Sequence, residues 1–271
     1  MNEIKEKAIR KIISDHIEEF ASSLISKHSL HVNDPDGVIN SKKKNAFVRE
    51  LGPEFMFYSA LVRSFDSSFG KVLENIGNEI ARVSYQTKKE IHSYILPAQL
   101  DKISELIESY STDAAHRIPP SIDHYNNYTC IIPKNVSSYM RVHVTDHYFF
   151  NLSANEHYLI ELKAGGDLDT KKAPAEKRAL LIEYFMLKNS LPKGAKVKIF
   201  FGAAYNKDGE GNEWKQSSVR SCFTEEELLI GSKYWNFVCN DPDGYKIVKD
   251  QYDKSAVKIR DALEKVKAMY F

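Results

Sequence analysis

Cysteine is scarce in this chain. Cys130, Cys222 and Cys239 are odd in number and scattered, with no C-x-x-C pair, which argues against a disulfide framework and a cysteine-built zinc site and for a reducing, cytoplasmic setting. No stretch approaches the ~18 consecutive apolar residues of a membrane span. The first twenty residues alternate charged and apolar side chains where an export signal would carry an apolar core. An excess of one charge is missing too: 38 Lys and Arg against 37 Asp and Glu leave a formal +1, so any polyanion-binding surface must be local. Also lacking are G-x-x-x-x-G-K-[ST], H-E-x-x-H and G-x-S-x-G; "AGGDLDTKKA" has glycines and lysines at the wrong spacing for a phosphate cradle. No nucleotide cofactor is expected.

What is present is a globular balance, 42% hydrophobic and 28% charged, enough to build a core. Ile4, Ala8, Ile9, Ile12, Ile13, Ile17 and Phe20 recur at helical spacing and predict an opening amphipathic helix. The loop "VNDPDGVINSKKKN" follows, then a helical stretch over 47–85 broken at Gly52-Pro53 and again near 66–68, and a further helical pattern over 87–110 interrupted at Pro97. "HRIPPSIDHYNNYT" reads as a loop.

The period then changes to two. "YMRVHVTDHYFFNL" and "EHYLIELK", separated by Ser153, Ala154 and Asn155, predict a β-hairpin. A helix over 173–188 and the buried strand "KVKIFFGAAY" complete a β-α-β crossover. Thr224 and Glu227 have capping-box spacing, and 245–270 closes the chain as an amphipathic helix. The expectation is one α/β domain over 1–271: a mainly helical part over 1–115, then over 116–271 a core with a small mixed sheet, flanked by N- and C-terminal helices. "NDPDG" occurs twice, at 33–37 and 240–244, without the flanking acids of a calcium loop, and reads as turn chemistry.

"IELK" places Glu161 and Lys163 on one side of a strand, since residues two apart share a face. A hairpin turning near Ala154 brings Asp146 of the paired strand close to 161–163. Two carboxylates beside one ammonium suit Mg²⁺, which takes one or two carboxylates with waters and a phosphate, and suit phosphodiester hydrolysis. The same spacing also suits an exposed ion pair on a solvated strand. His143 and His147 flank Asp146 and, in an extended strand, point away from it as packing or solvent residues.

An apolar strand ending in E-x-K, a hairpin partner bearing Asp146, a crossover helix and a second buried strand resemble the PD-(D/E)XK nucleases. By that resemblance Asp146 and Glu161 hold metal, the Leu162 carbonyl is a further ligand and Lys163 acts on the water; Thr145 stands where the motif name has proline. "RSFDSSFGKVLENIGNEIA", "FFGAAYNKDGEGNEW" and "LLIGSKYWNFVC" extend the resemblance to type II restriction endonucleases, most closely the TdeIII-like group. This implies a Mg²⁺-dependent homodimer cutting double-stranded DNA at a palindromic or interrupted palindromic site of GGNCC type.

Glu74, with Gly70, Gly77 and Ala81 near it on its helix, suggests a close backbone approach around an additional active-site acid, with Glu79 as runner-up; a glutamate at a tight helix crossing fits as well. Asn206, Lys207, Lys215, Gln216 and Arg220 lie in a polar loop with the side-chain chemistry for base edges. Lys171, Lys172, Lys177, Arg178 and Lys42 to Lys44 are candidates for phosphate contacts, or solvated charge. Two other readings stay open: a repair or structure-specific nuclease on this core, and a non-cleaving DNA-binding protein.

Overall fold

The computed structural model describes residues 1–111, 119 and 121–271. In chain order the elements are α1 (Glu3–His31), α2 (Ala46–Arg49), α3 (Pro53–Ala81), β1 (Gln86–Tyr94), α4 (Pro97–Ser111), α5 (Asp123–Asn126), β2 (Met140–Asn151), β3 (Glu156–Lys163), α6 (Lys172–Ser190), β4 (Lys196–Ala203), α7 (Ser217–Arg220), β5 (Leu228–Ile230), α8 (Ser232–Cys239) and α9 (Gly244–Tyr270). They form two compact units, Met1–Ile80 with Lys246–Phe271, and Ala81–Tyr245. The 115/116 division and part of the loop over 116–129 fall outside the described residues.

The first unit is built from α1, α3 and α9. Asn2 caps α1 by accepting a bond from the Lys5 amide at 2.8 Å. Ile9, Ile13, Ile17, Phe20, Leu24 and His28 recur at steps of three and four and are all buried, and each aliphatic one contributes about 1.5–3 kcal/mol by leaving water. Phe20 meets Phe65 and Phe69 with ring centroids 5.4 and 5.5 Å apart, and Phe57 meets Tyr270 at 5.4 Å. The break expected near 66–68 does not occur. Ser68 Oγ bonds back to the carbonyls of Ser64 and Phe65, at 2.7 and 3.1 Å, so its hydroxyl is satisfied within the helix.

The two "NDPDG" segments make the same turn. Asp34 accepts from the Asp36 amide at 2.9 Å and Asp241 from the Asp243 amide at 3.0 Å. A Cβ on Gly37 would lie 2.6 Å from the His31 carbonyl oxygen, and one on Gly244 2.6 Å from Cys239 Cβ, which explains the shared final glycine.

The second unit holds a five-stranded sheet in the order β1-β2-β3-β4-β5. β1, β2 and β3 pair antiparallel, β3 and β4 parallel through the α6 crossover, and β4 and β5 parallel. The hairpin, the crossover and the parallel strand lie where the change of period places them. The helix expected from residue 87 is corrected: residues 86–94 are β1, and only from Pro97, a residue tolerated in a first helical turn, does α4 run. The charged face of "QTKKEIHSY" masks its alternation, and pairing with β2 decides its state. Leu180, Leu181, Tyr184 and Phe185 of α6 pack with Leu159, Ile199 and Phe201 of the sheet into the main core.

Lys177 is a second correction. It is fully buried, with Nζ 2.5 Å from Glu227 Oε1, and the Tyr125 hydroxyl donates to the same carboxylate at 2.7 Å. It cannot reach a phosphate. Burial pulls its ammonium below the ordinary lysine range, with Glu227 opposing.

Candidate functional site

The site is assembled at an irregularity in β2. β1 and β2 pair Glu90 with Val144 and Lys88 with Tyr148, so two steps on β1 (90 − 88) answer four on β2 (148 − 144). The surplus falls at 145–147, and a bulge of this kind re-aims side chains. On the other side of β2 the ladder ends at His147 and Ile160, which brings Asp146 alongside Glu161. The Leu162 amide donates to Asp146 Oδ2 at 3.1 Å, Lys163 Nζ bonds Glu161 Oε1, and the same ammonium lies 3.0 Å from Glu176 Oε1 on α6.

Asp146, Glu161, Leu162 and Lys163 are therefore brought together. Burial and then the Asp146 carboxylate push the Glu161 carboxyl up to about 8, with Lys163 opposing and Glu176 adding to the rise. Burial works against the Lys163 charge, but Glu161 and Glu176 outweigh it and hold the ammonium above its ordinary range. The cluster carries more negative charge than one lysine neutralises, the condition that a cation relieves.

The bulge also overturns the extended-strand expectation for one of the two histidines, His143. His147 is fully buried, with Nε2 2.8 Å from the Tyr234 hydroxyl, a packing residue as expected. His143 instead pairs with Glu183 of α6, Nδ1 to Oε1 2.8 Å. Its hydrogen bond to Glu183 raises its pKa against burial. Glu183 is itself raised by burial, with His143 and Thr145 opposing and Asp146 adding to the rise. Sequence reasoning missed both Glu176 and Glu183. The signal was their seven-residue spacing, two turns on one face of the crossover helix.

Glu74 belongs to the first unit. Both its oxygens lie 2.6 Å from Lys71 Nζ, and a Cβ on Gly70 would meet nothing within 4 Å, so the close approach expected there is absent at Gly70. Glu79 pairs with His16 at 3.3 Å. In the loop after β4, the Asn206 side chain donates to the Asn212 carbonyl at 2.9 Å and accepts from the Asp208 amide at 2.9 Å, so it holds the loop's own shape. Lys207 pairs with Asp167 at 3.0 Å. Arg220 bonds Glu213 and the Trp214 carbonyl, at 3.2 and 3.0 Å. Arg220, Glu213 and Glu225 line a cleft of about 530 Å³. Lys215 is exposed and Gln216 half-buried. Lys171 and Lys172 are exposed at the start of α6, their amides held by Asp169 Oδ1. In the first unit Lys44 pairs with Asp36.

Among the described residues no group of three or more His, Cys, Asp or Glu is arranged around a common cation position. Asp146 and Glu161 are two carboxylates, and two suffice for an ion that keeps waters and takes phosphate oxygens. Burial of Glu161 beside the Asp146 carboxylate, only partly offset by Lys163, is the feature of this site that fits such an ion.

A mixed α/β sheet whose bulged hairpin converges two acids and a lysine beside a crossover helix is a framework on which a hydrolytic site for an anionic ester can be built. Residues 5–256 match the family model of the type II restriction endonuclease HinfI, and the chain belongs to that family. It is therefore a nuclease by family, with DNA as the substrate class and type II site-specific cleavage as the activity the family suggests. Comparison with curated proteins and with solved structures gave no match. No described helix is long and apolar enough to cross a membrane.

Proposed function

We propose that the protein is a Mg²⁺-dependent type II restriction endonuclease with a PD-(D/E)XK core, acting as a homodimer on a short, interrupted palindrome in double-stranded DNA. Membership of the HinfI family supports the class. The observation that carries the finer reading is the meeting of Asp146, Glu161 and Lys163 at the bulged hairpin.

Asp146, Glu161 and the Leu162 carbonyl would hold the ion, which when bound neutralises charge developing on the scissile phosphate and acidifies a water. Lys163, held between Glu161 and Glu176, would orient or deprotonate the attacking water. Lys171 and Lys172 supply phosphate contacts, and Lys215, Gln216 and Arg220 are the base-reading candidates. Asn206 and Lys207 contribute by shaping that loop. Two-fold symmetry of a homodimer matches the symmetry of a palindrome and cuts both strands alike. The likeness to the TdeIII-like group makes a GGNCC-type sequence the first to test.

Digestion of DNA of known sequence with Mg²⁺, followed by mapping of the fragment ends, should give discrete ends at one recurring sequence and no cutting in EDTA. Asp146→Ala and Lys163→Ala should each lower the cleavage rate by about 100-fold or more while DNA binding in Ca²⁺ persists. Full activity in either variant would remove the site.

A further inference from the structure

We propose that Glu176 is a positioning residue: it keeps the Lys163 ammonium in place when a divalent cation takes over Glu161. The inference rests on the nuclease reading above. Lys163 has two carboxylate partners, Glu161 on its own strand and Glu176 across on α6, 3.0 Å away. Only one of these can be spared for a cation, because Glu161 lies beside Asp146 and Glu176 approaches from the other element. Once a metal engages Glu161, an ammonium with no second anchor would be repelled by the incoming charge and would swing toward solvent, to which 31% of its side chain is already open.

Glu176 is suited to prevent this. Its neighbour Lys177 is locked to Glu227 in the core, and Leu180 and Leu181 one turn on are buried, so the backbone that carries the carboxylate is fixed. A charge-assisted hydrogen bond from a fixed donor or acceptor is among the stronger single contacts available to a side chain. Glu176 would touch neither metal nor DNA. Its effect is exerted through Lys163.

The test is amine footprinting of the full chain by reductive methylation, with Lys163 quantified by mass spectrometry, in the wild type, Glu176→Gln and Glu176→Asp, each with and without Ca²⁺. In the wild type Lys163 should label slowly under both conditions. In Glu176→Gln, Ca²⁺ should accelerate its labelling by about ten-fold, with little change in the absence of metal; Glu176→Asp should fall between. A general loosening of the fold would raise labelling without regard to metal and would count against the proposal. Labelling of Lys163 in Glu176→Gln that stays as slow with Ca²⁺ as in the wild type overturns it. In parallel, Glu176→Gln should slow single-turnover plasmid cleavage in Mg²⁺ by about ten-fold or more at unchanged DNA affinity in Ca²⁺, and an unchanged rate also overturns it. A wild-type protein that leaves plasmid intact in Mg²⁺ would instead defeat the nuclease reading, while the footprint still decides the role of Glu176.

Discussion

The two units solve the problem of an interior in opposite ways. The first fills its helical interior with aliphatic and aromatic side chains, as at Ile9, Ile13, Ile17 and the Phe20, Phe65, Phe69 group. The second, around its sheet, sets polar pairs at three places along α6: Lys177 with Glu227 fully buried, and Lys163 with Glu176 and His143 with Glu183 partly buried. Burying ions costs more than burying methyl groups, and a buried pair is poor evidence for stability. The difference teaches that the first unit is built for packing, whereas α6 trades stability for fixed polar groups beside the Asp146, Glu161 and Lys163 cluster.

Several changes would break or sharpen that contrast. The largest effect is expected at Lys177→Met, which strands the buried Glu227 carboxylate and should cost about 3–5 kcal/mol in urea unfolding. Combining it with Glu227→Gln, which keeps an acceptor for Tyr125, should recover at least about 1 kcal/mol. If the double variant is no better than the single one, the ion pair is not what makes the site sensitive. In the apolar unit Ile13→Val should cost only about 0.5–1.5 kcal/mol, and a loss as large as that of Lys177→Met would erase the distinction.

The smallest effect is a difference in the sign of pH dependence. Burial, then Lys27, lowers the pKa of His28 in the first unit, so its contribution is complete above the ordinary value of about 6.5 and is lost as the pH falls through the lowered value. Glu183 raises that of His143 in the second, so its contribution is complete below that ordinary value and is lost as the pH rises through the raised one. His28→Gln should therefore blunt the loss of stability on acidification, and His143→Gln the loss on the alkaline side, read as shifts of the urea midpoint across pH 5 to 8. Shifts of the same sign in both variants would show that the surroundings of the two histidines do not differ as described.

Much of the fold was legible. Helical spacing from Ile9 to Leu24, the change to period two at residue 140, the turn at 152–155 and the β-α-β crossover all follow from side-chain pattern, because each is a local demand of burial on one face. β1 was not legible, since its exposed face is nearly all charged and its strand state depends on pairing with β2. Of the site, the E-x-K triplet and its meeting with Asp146 could be anticipated from hairpin arithmetic. Glu176 and Glu183 share one face of the crossover helix by their seven-residue spacing, but that spacing alone does not tell whether the face meets a strand or water, so it did not single them out among 37 acidic residues.

The sequence by itself determined the alternation that sends Glu161 and Lys163 to one side of β3, the turn that folds β2 back onto it and the helix that must cross over to β4, since all three are written in nearest-neighbour chemistry. Only the tertiary structure decided the bulge at 145–147, the direction in which Asp146 and His143 therefore point and the burial of Lys177. These depend on how many residues of one strand answer those of another and on which helix covers them, and such long-range counts are fixed by packing and not by the residues alone.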